Sequence, residues 1–319
     1  MKKILFSLLL LCGASAYAFA QANTAKMKPF QHLDLGVTLG TTGVGLELGT
    51  HINEMFRVRA GFSIVPQIDV KMNFGIEGKR KDDNGNWVST KFDSMSDKFQ
   101  QFTGLEINDN IDMIGNPNFY NGNLLVDFYP IKNKAFHITA GFYYGSSKVG
   151  KACNAIEDMA SLLGVSMYNN MYNKIVAGEP LFNDIYLSPD LEDKFLESGK
   201  LGIHIGDKVE NGDPYMMEPD ENSTVKASVF VNSLKPYLGV GYGGRVSKKN
   251  DNIRIAFDCG VMFWGGTPQI ITHDGTDLAK DVENIGGKVG DYVSFVKGLK
   301  VYPVMNLKIL FRLYLSTLL

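Results

Sequence analysis

Phe56-Arg-Val-Arg-Ala-Gly-Phe-Ser-Ile64 is the stretch of the chain that decides its fold. Successive side chains of a β-strand point to opposite faces, so alternate positions form two separate columns. The stretch, extended to residues 55–65, is therefore predicted to be a strand with one apolar face and one polar face. The apolar column holds Phe56, Val58, Ala60, Phe62 and Ile64, and the other holds Arg57, Arg59, Gly61 and Ser63.

The same two-column pattern recurs along the chain. No charged residue falls in an apolar column, and Leu125 and Leu310 are the apolar exceptions in the polar column. Together with residues 55–65, the repeats predict about eight strands. They lie at residues 33–40, 43–50, 122–129, 135–145, 236–244, 252–264 and 303–314.

Alternation also occurs in soluble sandwiches, so the content of the polar column has to decide what surrounds the sheet. This column mixes glycine with charges of both signs, which favours an enclosed lumen over a face washed by water. The residues predicted to form this lumen polar network are Asp34, Glu47, Arg57, Arg59, Asp127, His137, Arg254, Asp258, Lys308 and Arg312.

The connectors complete the prediction of a closed, antiparallel transmembrane β-barrel. After the two-residue turn at Thr41 and Thr42, short and long connectors alternate, as in outer-membrane barrels with short periplasmic turns and long external loops. The long ones span about 66–121, 146–235 and 265–302. Aromatic residues at strand ends, such as Tyr144 and Trp264, suit the membrane interfaces. Residues 67–74 also alternate, and are either a further strand or an extension of the third.

The N-terminus reads as a cleavable secretory signal. Lys2 and Lys3 precede an apolar segment, and Ala18-Phe19-Ala20 supplies a small-x-small cleavage pattern. We expect residues 1–20 to be removed and residues 21–319 to form a single barrel domain. Cys12 raises a lipoprotein alternative, but it follows Leu11 where such signals usually have a small residue. A net charge of −2 and a pI near 6.2 give no indication of nucleic-acid binding.

Several strand motifs resemble those of small outer-membrane barrels of Bacteroidetes-type bacteria, with OmpA-like or OmpW-like architecture. The resemblance covers the strands and leaves the long connectors out. It implies a bacterial outer-membrane location, and we expect no peptidoglycan-binding domain. The motifs are Gly36-Val-Thr-Leu-Gly-Thr-Thr-Gly-Val-Gly45, Phe56-Arg-Val-Arg-Ala-Gly-Phe62, Asp127-Phe-Tyr-Pro130, Phe136-His-Ile-Thr-Ala-Gly141 and Tyr237-Leu-Gly-Val-Gly-Tyr242.

The long connectors carry signals of structure. Asn84-Gly85 is a strong hairpin signal within 81–87, and apolar residues at helical spacing predict a short helix over Ala155–Leu163. We therefore expect the connectors to fold into a cap over the barrel mouth.

The sequence gives only weak evidence for metal-binding or catalytic sites. Asp82-Asp-Asn-Gly-Asn86 has the composition of a calcium loop without its spacing, and the five histidines lack paired ligand spacing. We predict no metal, no cofactor and no enzymatic activity. His137 and Thr139 resemble the His-x-Ser pair of lipid A deacylases, but both are predicted to face the lumen, away from lipid.

The favoured function is surface display: a barrel with a plugged, charged lumen whose folded loops bind an unknown extracellular ligand, while outer-membrane lipid surrounds the wall. An eight-stranded barrel has room only for side chains. Passage of a small apolar molecule in the OmpW manner is the alternative, and a lipid-modifying enzyme is less favoured. The glycines of the polar column suggest empty space in the lumen that would admit a small ligand.

Overall fold

The computed structural model describes residues 30, 32–90, 100, 104, 108, 110–130, 135–247 and 250–314. The predicted signal peptide, residues 1–20, lies outside this part of the chain. The described strands are β1 (His32–Gly40), β2 (Gly43–His51), β3 (Phe56–Ile64), β4 (Val70–Lys81), β5 (Trp87–Thr90), β6 (Asn110–Pro117), β7 (Tyr120–Phe128), β8 (Phe136–Gly145), β9 (Lys148–Asn154), β10 (Lys200–Lys208), β11 (Pro214–Met217), β12 (Lys226–Phe230), β13 (Leu234–Ser247), β14 (Asn250–Met262), β15 (Gln269–Thr272), β16 (Val282–Glu283) and β17 (Tyr302–Tyr314). The described helices are α1 (Met159–Val176), preceded by a 3-10 turn, α2 (Pro189–Ser198) and α3 (Gly287–Gly298).

Eight strands close into an antiparallel barrel in the order β1-β17-β14-β13-β8-β7-β3-β2. These are the eight predicted strands, with bounds shifted by a few residues, so the predicted all-β, closed-barrel fold is confirmed. The seam joins the first strand to the last, with Val37 opposite Ile309 and Asp34 opposite Arg312. Every barrel strand therefore has a hydrogen-bonded neighbour on both sides, which leaves no open edge in the wall.

The barrel wall has an apolar exterior and a polar interior. Side chains of the apolar column are exposed, for example Leu46 at 60% and Phe62 at 52%, whereas Arg59 is 1% exposed. This is the inside-out distribution of a transmembrane β-barrel. The helices in the described part of the chain lack the combination of length and apolar character that crossing a bilayer requires.

The long connectors fold into a second sheet of nine strands. Its main path runs β11-β10-β4-β6-β9-β12-β15, with β5 paired to β4 and β16 paired to β10. Residues 70–74, within the ambiguous stretch, are thus part of a separate strand and not a barrel strand. The predicted hairpin at Asn84-Gly85 joins β4 to β5, and the predicted helix is present but extends to Val176.

The second sheet is joined to the barrel by ribbons that continue the barrel wall. β3 pairs with β7 in the barrel, and the strands that follow and precede them, β4 and β6, pair in the second sheet. Between the two ladders, the Val65 amide donates to the Phe119 carbonyl at 2.8 Å. The pair β8 and β13 leads in the same way into the pair β9 and β12. All three long connectors leave from one end of the barrel, called here the connector end; the opposite end is the turn end.

The apolar exterior makes a first prediction. Leu46→Arg, near the middle of β2, should destabilise the protein in lipid vesicles by about 2–4 kcal/mol, because an arginine side chain would face hydrocarbon. Urea unfolding of the refolded protein measures the change. Asn84→Arg, at the exposed hairpin tip, is the matched control and should have almost no effect. Equal stability of the two variants would contradict a lipid-facing exterior.

Candidate functional site

The centre of the lumen is a buried ionic network around Arg59 of β3. Its guanidinium contacts the carboxylates of Glu47 at 2.9 Å, Asp127 at 3.0 Å and Asp258 at 2.7 Å. Lys308 of β17 reaches Glu47 at 2.9 Å and Asp258 at 2.5 Å. Five strands are therefore tied together by ion pairs across the lumen, in addition to their backbone ladders.

A second group of charges lies toward the turn end. Arg312 holds Asp34 at 2.9 Å, and Arg57 contacts Asp34 at 3.4 Å and Asp127 at 3.3 Å. His32 and His51 lie beside them, with Nε2 of His32 3.2 Å from Nδ1 of His51. The sequence spacing of the histidines predicted no metal site, yet His32, His51 and Asp34 form a buried trio of ligand types. Because two guanidiniums already engage the carboxylate, the arrangement favours a hydrogen-bonded network.

The remaining members of the predicted network also face the lumen. His137 lies 3.2 Å from Asp258, and Arg254 borders the small space at the turn end. Thr139 donates to Asp127 at 2.7 Å and accepts from Arg59. Thus His137 and Thr139 have separate carboxylate partners inside the lumen. This geometry does not suit a base and nucleophile acting on membrane lipid.

The expectation that the lumen glycines leave room for a ligand is wrong. A side chain at Gly241 would meet the His137 ring at 2.3 Å, and one at Gly49 would meet the Arg57 guanidinium at 2.5 Å. Long side chains from neighbouring strands fold over these glycines and occupy the space. The remaining lumen space at the turn end is about 30 Å³, which is room for water and not for an organic ligand.

An apolar layer lies inside the barrel at the connector end. Tyr143 and Tyr237 meet edge to face with ring centroids 5.5 Å apart. Leu125, one of the two apolar exceptions in the polar column, is buried in this layer at 1% exposure. The layer is formed by Phe119, Leu125, Tyr143, Tyr237, Met262 and Val304.

Lys235 is a functional candidate that the strand pattern missed. It is fully buried at the edge of this layer, with its ammonium 5.6 Å from the centre of the Phe119 ring. Its Nζ donates to the side-chain oxygen of Asn121 and to the carbonyls of Ser146 and Ser233. The alternating pattern could have identified Lys235, because it lies two residues before Tyr237 and so faces the same side of the strand. The predicted strand began one residue too late to include it.

The ionic centre makes a second prediction. Arg59→Met should cost about 3–5 kcal/mol of stability, because three buried carboxylates lose their shared partner. Urea unfolding in vesicles measures it, with Lys71→Met on an exposed position of β4 as the control for loss of a positive charge. A loss at Arg59 no larger than that at Lys71 would contradict the central role of the network.

Above the apolar layer lies an open cavity of about 580 Å³, bordered by the barrel mouth, the second sheet and α3. Its size is within the range of small-molecule sites, about 300–1,000 Å³. The inward side chains are overwhelmingly apolar, and none of the described residues places a carboxylate in the lining. β17 and the residues that adjoin β3, β7 and β14 supply Tyr302, Val65, Phe119 and Trp264; the second sheet supplies Met72, Phe74, Met113, Ala152 and Val229; α3 supplies Val289, Tyr292, Val293 and Val296.

One polar group at the edge of this cavity, around Thr272, has its hydrogen bonds satisfied within the protein. The Thr272 hydroxyl donates to Asp274 at 2.6 Å, and the Tyr215 hydroxyl donates to the same carboxylate at 2.8 Å. Partial burial alone would raise the pKa of Asp274, but the hydrogen bonds from Thr272, Thr276 and Tyr215 outweigh it and lower the pKa. Asp274 therefore stays ionised and engaged, so the cavity presents no free polar group from this side.

The cavity was not predicted from the sequence, because its wall comes from three connectors and the barrel mouth together. The alternating pattern of the strands predicts only which side chains of the barrel wall face the lumen. This pattern contains no signal for how the three connectors meet in space. The connectors are residues 65–119, 146–233 and 263–301.

Comparison with known proteins gives little further information. No protein-family model matches the sequence, and no curated protein matches it either. Among solved structures, the chain is similar to Acinetobacter baumannii CarO2, with 14% identity over 91% of this chain and 100% of that one and a TM-score of 0.38. Acinetobacter baumannii CarO gives 14% identity, 90% and 99% coverage and a TM-score of 0.35. These likenesses carry no conclusion about activity, and the resemblance to Bacteroidetes-type, OmpA-like or OmpW-like barrels stays a prediction.

Proposed function

We propose that this protein is an outer-membrane barrel that anchors a folded binding domain at the cell surface and takes up a small apolar molecule in the cavity above its lumen. The observation that carries the proposal is the 580 Å³ apolar cavity at the connector end. Long loops of outer-membrane barrels face outward, so the cavity would lie on the external side of the membrane.

The filled lumen supports binding over passage through the barrel. Two layers lie below the cavity: the apolar layer around Tyr143 and Tyr237, then the ionic network around Arg59. A molecule moving through the barrel would have to disrupt both. Passage of an apolar molecule remains the second candidate, because the same cavity would serve as its entrance.

Binding of a neutral fluorescent probe tests the proposal. N-phenyl-1-naphthylamine should bind to protein kept soluble in amphipol with one saturable site above the linear partition into amphipol alone. Ala152→Phe, which projects a ring into the cavity, should weaken binding about tenfold or more, since overpacking costs about 1–3 kcal/mol. Ala60→Phe, on the barrel exterior, is the matched control and should bind like the parent. Absence of a saturable component in the parent protein would contradict the proposal.

Ion conductance tests the closed lumen separately. The purified protein in a planar bilayer should produce no stepwise current, because a barrel of this size is filled by side chains while water-filled porins need about sixteen strands. A porin measured in the same bilayer shows that steps are detectable. Reproducible steps from this protein would overturn the plugged lumen and favour the transport alternative.

A further inference from the structure

We infer that the ligand of the cavity is an acyl chain of a lipid from the surrounding outer leaflet, which enters from the side of the barrel above the β1–β2 turn. The inference rests on the proposed function and adds the chemical class of the ligand and its route. It follows from where the cavity opens, from what covers the barrel wall below the opening, and from the charge beside it.

The β1–β2 turn is the one barrel connection at the connector end that carries no insertion. It consists of Thr41 and Thr42 and lies between the strands that lead into the cavity. On one side, Gly43 packs so closely against the end of β3 that a side chain there would meet the Ile64 carbonyl at 2.0 Å. On the other side, the Tyr302 hydroxyl donates to the Thr41 carbonyl at 2.6 Å. Val65 and Tyr302, both cavity residues, therefore flank the lowest part of the barrel rim.

The cavity opens among exposed apolar side chains. Ile68 and Val70, which follow β3, are 61% and 38% exposed, and Tyr292 and Phe295 of α3 are 45% and 65% exposed. All four line the cavity. These residues belong to the connectors that leave and enter the barrel on either side of the β1–β2 turn. We call them the entrance residues.

Aliphatic side chains reach the top of the barrel wall beneath this entrance. Below it, the uppermost outward side chains are Leu39, Val44 and Ile64, all aliphatic and 45–61% exposed. Elsewhere around the rim, the corresponding outward positions on β7 and β8 and after β14 hold Tyr120, Tyr144 and Phe263. Aromatic residues mark the boundary between hydrocarbon and headgroups. No such aromatic residue stands at the top of β1 to β3, so the aliphatic surface there extends to Ile64, four residues before the entrance residue Ile68.

Two lysines near the entrance suit an anionic lipid headgroup, although exposed Asp69 and Asp291 also stand next to Ile68 and Tyr292. Lys297 and Lys300 are exposed at the end of α3, two and five residues beyond Phe295. A helix that combines exposed aromatic residues with lysines is typical of segments lying at a membrane surface, where lysine attracts anionic lipid groups. A chain whose tail enters the cavity would place its headgroup close to these ammonium groups. A freely soluble apolar molecule gives no reason for this arrangement.

The position of Trp264 allows a direct test. Trp264 lines the cavity and is 5% exposed, while the other tryptophan, Trp87, lies on the β4–β5 hairpin. In Trp87→Phe protein, Trp264 is the sole tryptophan. This protein is reconstituted in vesicles of phosphatidylcholine with bromine near the ends of the acyl chains, and in unbrominated vesicles. Bromine quenches tryptophan only on contact, so bulk chain ends near the bilayer centre should not reach Trp264.

We expect loss of most Trp264 emission in the brominated vesicles, because a chain that bends into the cavity carries its bromine to the indole. Ala152→Phe should restore the emission by filling the cavity. Ile68→Glu, at an exposed entrance position, should restore part of it without disturbing the core. A variant with Phe263→Trp and both native tryptophans replaced by Phe reports the outer wall at the same height, and should be quenched by bromine near the headgroups more than by bromine at the chain ends.

Equal Trp264 emission in brominated and unbrominated vesicles would overturn the inference, and so would quenching that is unchanged in both Ala152→Phe and Ile68→Glu. Saturable binding of N-phenyl-1-naphthylamine in amphipol without bromine quenching would identify a soluble apolar molecule as the ligand, so that the proposed function stands and the lipid route fails. If the parent protein shows neither saturable probe binding nor bromine quenching, both the proposed function and the lipid inference fail.

Discussion

Pairing of charges within a closed wall is the constraint on which the rest of this structure depends. A strand such as β3 carries two arginines, and it can cross an apolar medium only if both guanidiniums face inward and meet acids there. Arg59 meets three carboxylates at 2.7–3.0 Å. A slip of one residue in any ladder would turn these charges to the outside. The ion pairs and the apolar exterior therefore select the same register.

The same constraint leaves little free space inside the barrel. An interior filled by paired charges and by folded-over side chains keeps only about 30 Å³ free at the turn end. The larger free space lies above the apolar layer, where the second sheet and α3 border an open cavity of about 580 Å³ at the barrel mouth. The barrel thus supplies a fixed floor, and the connectors supply the shape of the site.

The sequence predicted the barrel well because its signal is local. Period-two alternation assigned eight strands and the inward side of ten polar residues, including Arg254 and Lys308. It missed Lys235, His32 and His51 as lumen residues because each lies at the end of a strand, where the alternating pattern gives the weakest boundary. Inward-facing Leu125 and Leu310 broke the pattern because a barrel interior also contains apolar layers.

Prediction failed for the second sheet for a different reason. Its strands are short and pair across long separations, for example Lys79 with Lys200 in β4 and β10. Several are buried and lack alternation, as in β10, where Leu201, Gly202 and Ile203 are all buried. The helix α1 was found by its apolar spacing over Ala155–Leu163, but asparagines from Asn169 onward interrupt that spacing although the helix continues. A cavity formed by such nonlocal partners has no signature in any single segment.

The ribbons that link the two sheets have a consequence for biogenesis. β8 and β13 are neighbours in the barrel, and the Gly145 amide still bonds to the Ser233 carbonyl at 3.1 Å where the ladder passes toward β9 and β12. The strands β9 and β12 are separated in sequence by α1, α2, β10 and β11. Pairing of β8 with β13 in the barrel wall brings β9 and β12 into alignment. Closing such distant pairs is costly in chain entropy when they meet unaided. We expect insertion of the barrel into the bilayer to act as a template that sets the order of assembly, with the second sheet forming only after the barrel wall beneath it is in place.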